Sequence, residues 1–244
     1  MTDLAARLSA VERQQTSPNV RPRDAASLIL LDRSRKEPRV LMGLRHPGHR
    51  FMPNVFVFPG GSLEASDRAM PVFGMLDNES ERRLQEQVPR GSAQRSRALA
   101  AAAIREMYEE TGVLVGTTEA GAPDSPAEGW NAFQEHGVFP NLESLTFVLR
   151  AITPPRRPKR FDTRFFAADV SSIAKTVEGM VGPDSELIET RWLTFKETEK
   201  AELPAITRVI LEEVQARLDG GFRREAPVPF YSVRYGKFVR TLLD

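Results

Sequence analysis

The 244-residue chain contains no cysteine, which excludes a disulfide framework, a thiolate nucleophile and any metal or iron–sulfur site built on cysteine. Histidine is nearly as scarce, with three copies scattered along the chain, so an imidazole-rich metal centre is not expected. Any metal would have to be held by oxygen. No run approaches the roughly 20 apolar residues that span a bilayer, although the 41% hydrophobic content supplies an ordinary core. Neither sign of charge dominates: 34 Lys plus Arg against 33 Asp plus Glu leave +1, which argues against a dedicated nucleic-acid surface but permits a local basic patch. Residues 1–20 mix acids and bases and lack the apolar core of a signal peptide. The expectation is a cytoplasmic protein with no membrane and no nucleic acid as partner.

Length allows one large domain or two small ones, and neither an internal repeat nor a low-complexity linker divides the chain. A polar lead-in around Leu4 to Gln14 reads as one exposed helix. Ala25 to Leu31 is an apolar run of strand length, followed by Val40 to Leu44 and by Val55 to Phe58, which stops at Pro59, Gly60 and Gly61. A glycine pair after a strand lets backbone approach closely and turn polar groups into a site. Asp77 to Val88 reads as a surface helix, broken by Pro89 to Ser92. Ala93 to Thr111 is rich in Ala, Glu and Arg, with Gly112 placed to cap it. Ser125, Pro126 and Glu128 suggest a capping box opening a short helix towards Gln134. Three extended segments follow, Ser144 to Thr153, Phe161 to Val170 and Leu187 to Leu193, then an amphipathic helix over Pro204 to Leu218 and an aromatic C-terminal stretch. This order predicts an α/β fold, a mixed sheet between helices.

The residues that carry chemistry lie at the end of the Ala-rich helix. Glu106, Glu109 and Glu110 stand at i, i+3 and i+4, so at about 100° per residue all three face one way. Like charges at this spacing repel by some tenths of a kcal/mol per pair. The stripe is either a solvated acidic face or the seat of a hard cation such as Mg²⁺, which takes oxygen ligands and bridges carboxylates to substrate phosphates.

The combination of Gly60 and Gly61, then Arg105, Glu106, Met107, Glu109, Glu110, Gly112 and Val113, resembles the Nudix hydrolase family, whose signature is GX5EX7REUXEEXGU with U aliphatic. The second half is matched in full. The first half fits two ways. Gly61 followed by Asp67 gives GX5D, but residues 68–104 then make 37 positions where the signature has seven, a 30-residue insertion. Gly91 gives the uninterrupted spacing, with Arg97 where an acid belongs. The interrupted register is preferred, because Gly60 and Gly61 end an apolar strand and Asp67 keeps the charge. An interrupted box, with Phe51 to Gly61 (FMPNVFVFPGG) and Thr153 to Phe166 (TPPRRPKRFDTRFF), resembles the branch that includes coenzyme A and acyl-coenzyme A diphosphatases.

The resemblance implies one Nudix domain over residues 1–244, an α/β/α sandwich with a helical insertion at about 68–98 and a C-terminal extension at about 220–244. It implies that Glu106, Glu109, Glu110 and the Gly60 carbonyl hold Mg²⁺ or Mn²⁺, that Arg105 orders the box, and that Gly61, Asp67 and Gly112 are its structural positions. Glu186 or Glu189 is the additional acid that activates water, or else a solvated strand-edge residue. Arg45 and Arg50 in one polar loop, and Arg157 and Arg160 in the densest basic run, are candidates for binding substrate phosphates; Phe161, Phe165 and Phe166 are read as sheet core. The implied reaction is metal-dependent hydrolysis of a diphosphate linkage, with coenzyme A as the leading substrate. ADP-ribose, NADH and a dinucleoside polyphosphate remain alternatives, as does a non-catalytic nucleotide-binding module. The apolar C-terminal segment suggests a homodimer.

Overall fold

A computed structural model describes residues 3–11, 16–48 and 53–244. In chain order its strands are β1 (Arg23–Asp32), β2 (Arg39–Arg45), β3 (Phe56–Val57), β4 (Gly60–Ser62), β5 (Val113–Val115), β6 (Thr146–Ile152), β7 (Phe161–Asp169), β8 (Ile173–Thr176), β9 (Leu187–Thr194), β10 (Val228–Arg234) and β11 (Lys237–Leu243). The α-helices are α1 (Leu4–Ala10), α2 (Ala65–Ala69), α3 (Asn78–Gln85), α4 (Ala93–Thr111), α5 (Asn131–Glu135), α6 (Phe195–Thr198) and α7 (Ala205–Asp219).

Nine strands form one mixed sheet with the path β11-β10-β6-β7-β1-β2-β3, while β4 adds to β1 and β9 to β2. Two pairings are parallel, β1 with β7 and β10 with β6. Because side chains alternate across a strand, β7 sends Phe166 into one core and Phe165 into the other. The first core lies under α4 and also takes Trp130 and Phe133; the second lies under α7 and α1, with Val209, Ile210, Val214 and Leu8. Helices on both faces of a mixed sheet make this the α/β/α sandwich that the element order predicts.

α4 follows the predicted bounds. Ser92 caps its start by accepting from the Arg95 amide, and Gly112 ends it in the left-handed region, with φ 77°. A Cβ at Gly112 would also lie 2.1 Å from the Val177 carbonyl oxygen, so glycine is required twice over. The helix is buried all round from Ala98 to Arg105, more deeply than a one-faced amphipathic reading allows, because the segment before it folds over its outer side.

That segment differs from its sequence reading. α3 is not a surface helix: Leu84 and Met70 join the first core, Ser80 Oγ accepts from the Phe147 amide at 3.0 Å, and Arg83 donates to the carbonyls of Arg224 and Glu225 at 2.9 and 2.7 Å. The C-terminal stretch is likewise no appendage but the β10–β11 hairpin, which extends the sheet beyond β6. α1 is exposed on one face only, since Ala5 and Leu8 are buried in the second core, and it stops at Ala10; residues 12–14 of the expected helix lie outside the described residues. The Ser125–Glu128 capping box is not formed. α5 starts instead after Trp130, which is fully buried 4.9 Å from the Phe133 ring, so tertiary burial sets the helix start.

Candidate active site

The Gly60–Gly61 corner brings the carboxylates of α4 against the sheet. β4 pairs with β1 through Ser27↔Gly60 and Ala26↔Gly61, which places both glycines directly across from the last turns of α4. A Cβ on Gly61 would stand 2.3–2.6 Å from the Glu106 carboxyl group, and one on Gly60 would meet the Ala26 carbonyl oxygen at 2.6 Å. The glycines are thus the condition for Glu106 and Glu110 to sit beside a strand.

Arg105 holds the cluster together. Its Nε and Nη2 donate to the two oxygens of Asp67 at 2.8 and 3.2 Å, and Nη2 also donates to the Ser62 carbonyl at 3.0 Å. Nη1 lies 2.9 Å from Glu106 and 2.7 Å from Glu109. Asp67 and Arg105 are 0% and 2% exposed, so this bidentate pair is a buried one. Asp67 Oδ2 additionally accepts from the Glu64 amide at 2.8 Å, tying α2 to the same point. Gly61 and Asp67 both lie at the carboxylate cluster. In the uninterrupted alternative, Arg97 reaches the carbonyls of Arg68 and Met70, and Gly91 packs on Gln85, away from the carboxylates.

The acids are not equivalent. Glu110 is buried; its Oε1 is 3.5 Å from the Gly60 amide, and its Oε2 has no hydrogen-bond partner among the described residues. Burial, reinforced by the neighbouring charges of Glu186 and Glu106, pushes its carboxyl well above the usual range. Burial also pushes Glu106 up to about 7, against the pull of Arg105. Glu109 lies at the solvent edge and is raised by burial and by nearby Glu64 and Asp67, with Arg105 opposing. For Arg105, burial works against the charge, but its carboxylate partners outweigh it and raise the guanidinium further. The three Glu do not form one even stripe: Glu106 and Glu110 turn towards β4, and Glu109 towards Arg105.

Among the described residues, no group of three or more His, Asp or Glu is arranged as a ready metal cage. Arg105 Nη1, between Glu106 and Glu109, supplies the positive charge there. The donor set nevertheless suits a hard cation: oxygen ligands only, and one buried carboxylate oxygen left without a partner.

Of the two late acids, the fold brings Glu186 to the cluster. It lies 3.4 Å from Arg45 and acts electrostatically on Glu110, as does Arg45 itself. Glu189 instead pairs with Arg191, whose guanidinium stacks over Phe56. Arg50 lies outside the described residues. Arg160 donates to the carbonyls of Thr153 and Val20 and to Asn19, which gives it a structural post; Arg157 is half-buried in the same turn. Phe165 and Phe166 are core, while Phe161 is half-buried on a cleft. The sequence reading missed Glu64 and the Ser62 carbonyl. Glu64 had a local signal, an acid three residues before Asp67; the carbonyl had none.

No protein-family model matches the chain. The chain is 30% identical over 154 residues to the Caenorhabditis elegans protein named "Putative nudix hydrolase 7", a match that takes in 59% of this chain and 43% of that protein. It therefore spans less than half the length of that relative. Among solved structures, a NUDIX hydrolase from Alicyclobacillus acidocaldarius superposes with a TM-score of 0.56 at 25% identity, covering 79% of this chain and 90% of the other.

Proposed function

We propose that this chain, whose fold matches a Nudix hydrolase structure and whose relatives support a place in that superfamily, is a divalent-metal-dependent hydrolase of phosphoric anhydrides. Its substrate in this reading is a nucleoside diphosphate derivative, with coenzyme A or an acyl-coenzyme A first. The observation that carries the reading is the buried Glu110 carboxylate, with an unpartnered oxygen, beside Glu106 at the Gly60–Gly61 corner. Burying a carboxylate is costly, and here the desolvation outweighs the one nearby cation, Arg45. Strong upward shifts in such a group mark functional sites more often than structural ones.

Glu106, Glu109, Glu110 and the Gly60 carbonyl are the residues that would hold Mg²⁺ or Mn²⁺. When bound, the ion would neutralise the diphosphate and lower the pKa of attacking water. Arg105 positions Glu106 and Glu109 by a guanidinium anchored on Asp67 and Ser62. Glu186 is the acid placed to accept a proton from water, and Arg45 beside it can meet a substrate phosphate oxygen. No helix among the described residues is long and apolar enough to cross a membrane, and a cytoplasmic setting belongs to this reading. So does a homodimer through the β11 edge of the sheet, which sizing by light scattering would test.

The test is hydrolysis of coenzyme A, acetyl-coenzyme A, ADP-ribose, NADH and a dinucleoside polyphosphate with Mg²⁺ or Mn²⁺, beside a Glu109→Gln, Glu110→Gln double variant. Metal-dependent turnover that the variant loses supports the reading and ranks the substrates. A wild type that leaves the whole panel intact while binding one member would favour a nucleotide-binding module.

A further inference from the structure

Away from the carboxylates, unneutralised charge gathers in a cleft of about 280 Å³ where residues 20–23 meet the turn at 158–161. Arg21, Arg23, Lys159 and Arg160 line it, together with Phe161 and Ser62, and among the described residues no acid does. Arg160 is held by backbone carbonyls and Asn19. Arg21, Arg23 and Lys159 are exposed, and among the described residues none of their side chains has a hydrogen-bond or ion-pair partner, although the Arg23 amide donates to the Arg160 carbonyl at 2.9 Å. This contrasts with Arg95, Arg105, Arg150 and Arg240, each of which reaches a carboxylate within 3.0 Å. A concavity lined by one sign of charge focuses its field and concentrates counter-ions of the other sign.

The cleft also adjoins the carboxylate cluster. Ser62, on its wall, offers its carbonyl to Arg105 at 3.0 Å, and Arg105 in turn touches Glu106 and Glu109. Ser62 pairs with Ala25 in the sheet, and Arg23 lies two residues further along β1, about 7 Å away at the usual strand rise. A phosphate held beside Arg23 is thus displaced along β1 from the point where Ser62 meets Arg105, in the direction that a second phosphate on the same nucleotide would take.

We propose that this cleft is a subsite for a phosphate monoester carried by the nucleotide substrate at a position remote from the diphosphate, bound by Arg21, Arg23 and Lys159. The proposal rests on the hydrolase reading above and extends it: the preferred substrate is a nucleotide with an additional ribose phosphate. Arg guanidinium and Lys ammonium groups bind such dianions through charge-assisted hydrogen bonds.

Calorimetric titration of the metal-free protein with adenosine 3′,5′-bisphosphate and with AMP tests this directly. The bisphosphate is expected to bind about tenfold more tightly or better, as two or three charge-assisted contacts allow. An Arg21→Gln, Arg23→Gln, Lys159→Gln variant should lose that preference, as should Lys159→Gln in part, whereas Glu109→Gln, Glu110→Gln should keep it. Thermal unfolding checks that each variant is folded. Equal affinity for the two nucleotides, no binding of either, or a preference that survives in the triple variant would overturn the proposal. Because the readout is equilibrium binding without metal, an uncut substrate panel would count against the hydrolase reading and leave this result separate.

Discussion

α4 meets ionised side chains at both ends, and the two ends are wired with opposite sign. Near its start, Arg95 shares Asp24 with Arg164, while Arg164 and Arg150 share Asp162. Three guanidinium groups there face two carboxylates. Burial pushes Asp24 up, but hydrogen bonds and charges from Arg95 and Arg164 outweigh it and hold the acid below its usual range. The excess positive charge is accommodated by Arg150 stacking 4.3 Å over Phe230 and donating to the Glu86 and Gln87 carbonyls. Near the end of α4, five acids (Asp67, Glu106, Glu109, Glu110 and Glu186) face Arg105 and Arg45. There the surplus is negative, and Glu106 and Glu110 are pushed up instead of down. The first cluster ties β1, β6, β7 and the segment before α4 together; burial holds the Arg164 guanidinium below its usual range, and its Nε and Nη2 have no hydrogen-bond partner among the described residues. The second is complete only with protons or a cation.

Substitutions can break this contrast from either side. Asp24→Ala would strand Arg95 and Arg164, and removing one partner of a buried pair costs about 3–5 kcal/mol; chemical denaturation should show that loss, with substrate KM retained in the folded fraction. Glu110→Gln should do the reverse. Turnover is expected to fall roughly 10²–10³-fold, the usual cost of removing one preorganised electrostatic group, while the metal-free protein at pH 8 unfolds no more easily than wild type.

The pH dependence sharpens the same distinction. Glu106 titrates near 7 in the fold and at the ordinary carboxylate value when unfolded, so the folded state holds the extra proton between those values. Metal-free stability should therefore decline as pH rises from about 5 to 8, and Glu106→Gln should flatten that decline in a thermal-melt series. Metal binding needs the ionised form, so the apparent Mg²⁺ affinity should drop about tenfold between pH 8 and pH 6. Gly61→Ala displaces the Glu106 carboxyl without touching a core, and turnover should fall by up to about 10²-fold with little change in melting temperature. The smallest effect belongs to Glu189→Gln. Its acid serves an exposed pair with Arg191, so activity should stay within about twofold and stability within about 0.5 kcal/mol, whereas Glu186→Gln should slow turnover at neutral pH.

What the sequence disclosed follows the range of the interactions. The bounds of α4 are written locally, in an Ala-rich run between Ser92 and a glycine that must adopt positive φ. Strands β1, β2, β6, β7 and β9 are equally local, as apolar or β-branched runs. The burial of α3, the seat of Trp130 in the first core ahead of α5 and the pairing of β10 with β6 depend on partners far along the chain and left no nearby trace. At the site, helical spacing put Glu106, Glu109 and Glu110 on one face, and the resemblance to the Nudix signature singled them out together with Arg105 and Asp67. It could not separate Glu186 from Glu189, because only the β2–β9 register and the loop before it decide which acid faces α4. The Ser62 carbonyl and the Asp24–Arg164 pair, 140 residues apart, were illegible for the same reason.

In the proposed function, the negative surplus at the end of α4 is a divalent-cation site. Titration of the metal-free protein with Mg²⁺ or Mn²⁺ at pH 7.5, followed by calorimetry in two buffers of different ionisation enthalpy, tests it most directly. The account predicts saturable binding with proton release, a raised melting temperature, and loss of both in Glu106→Gln, Glu110→Gln. Absence of saturable binding, or equal binding by wild type and the double variant, would contradict it.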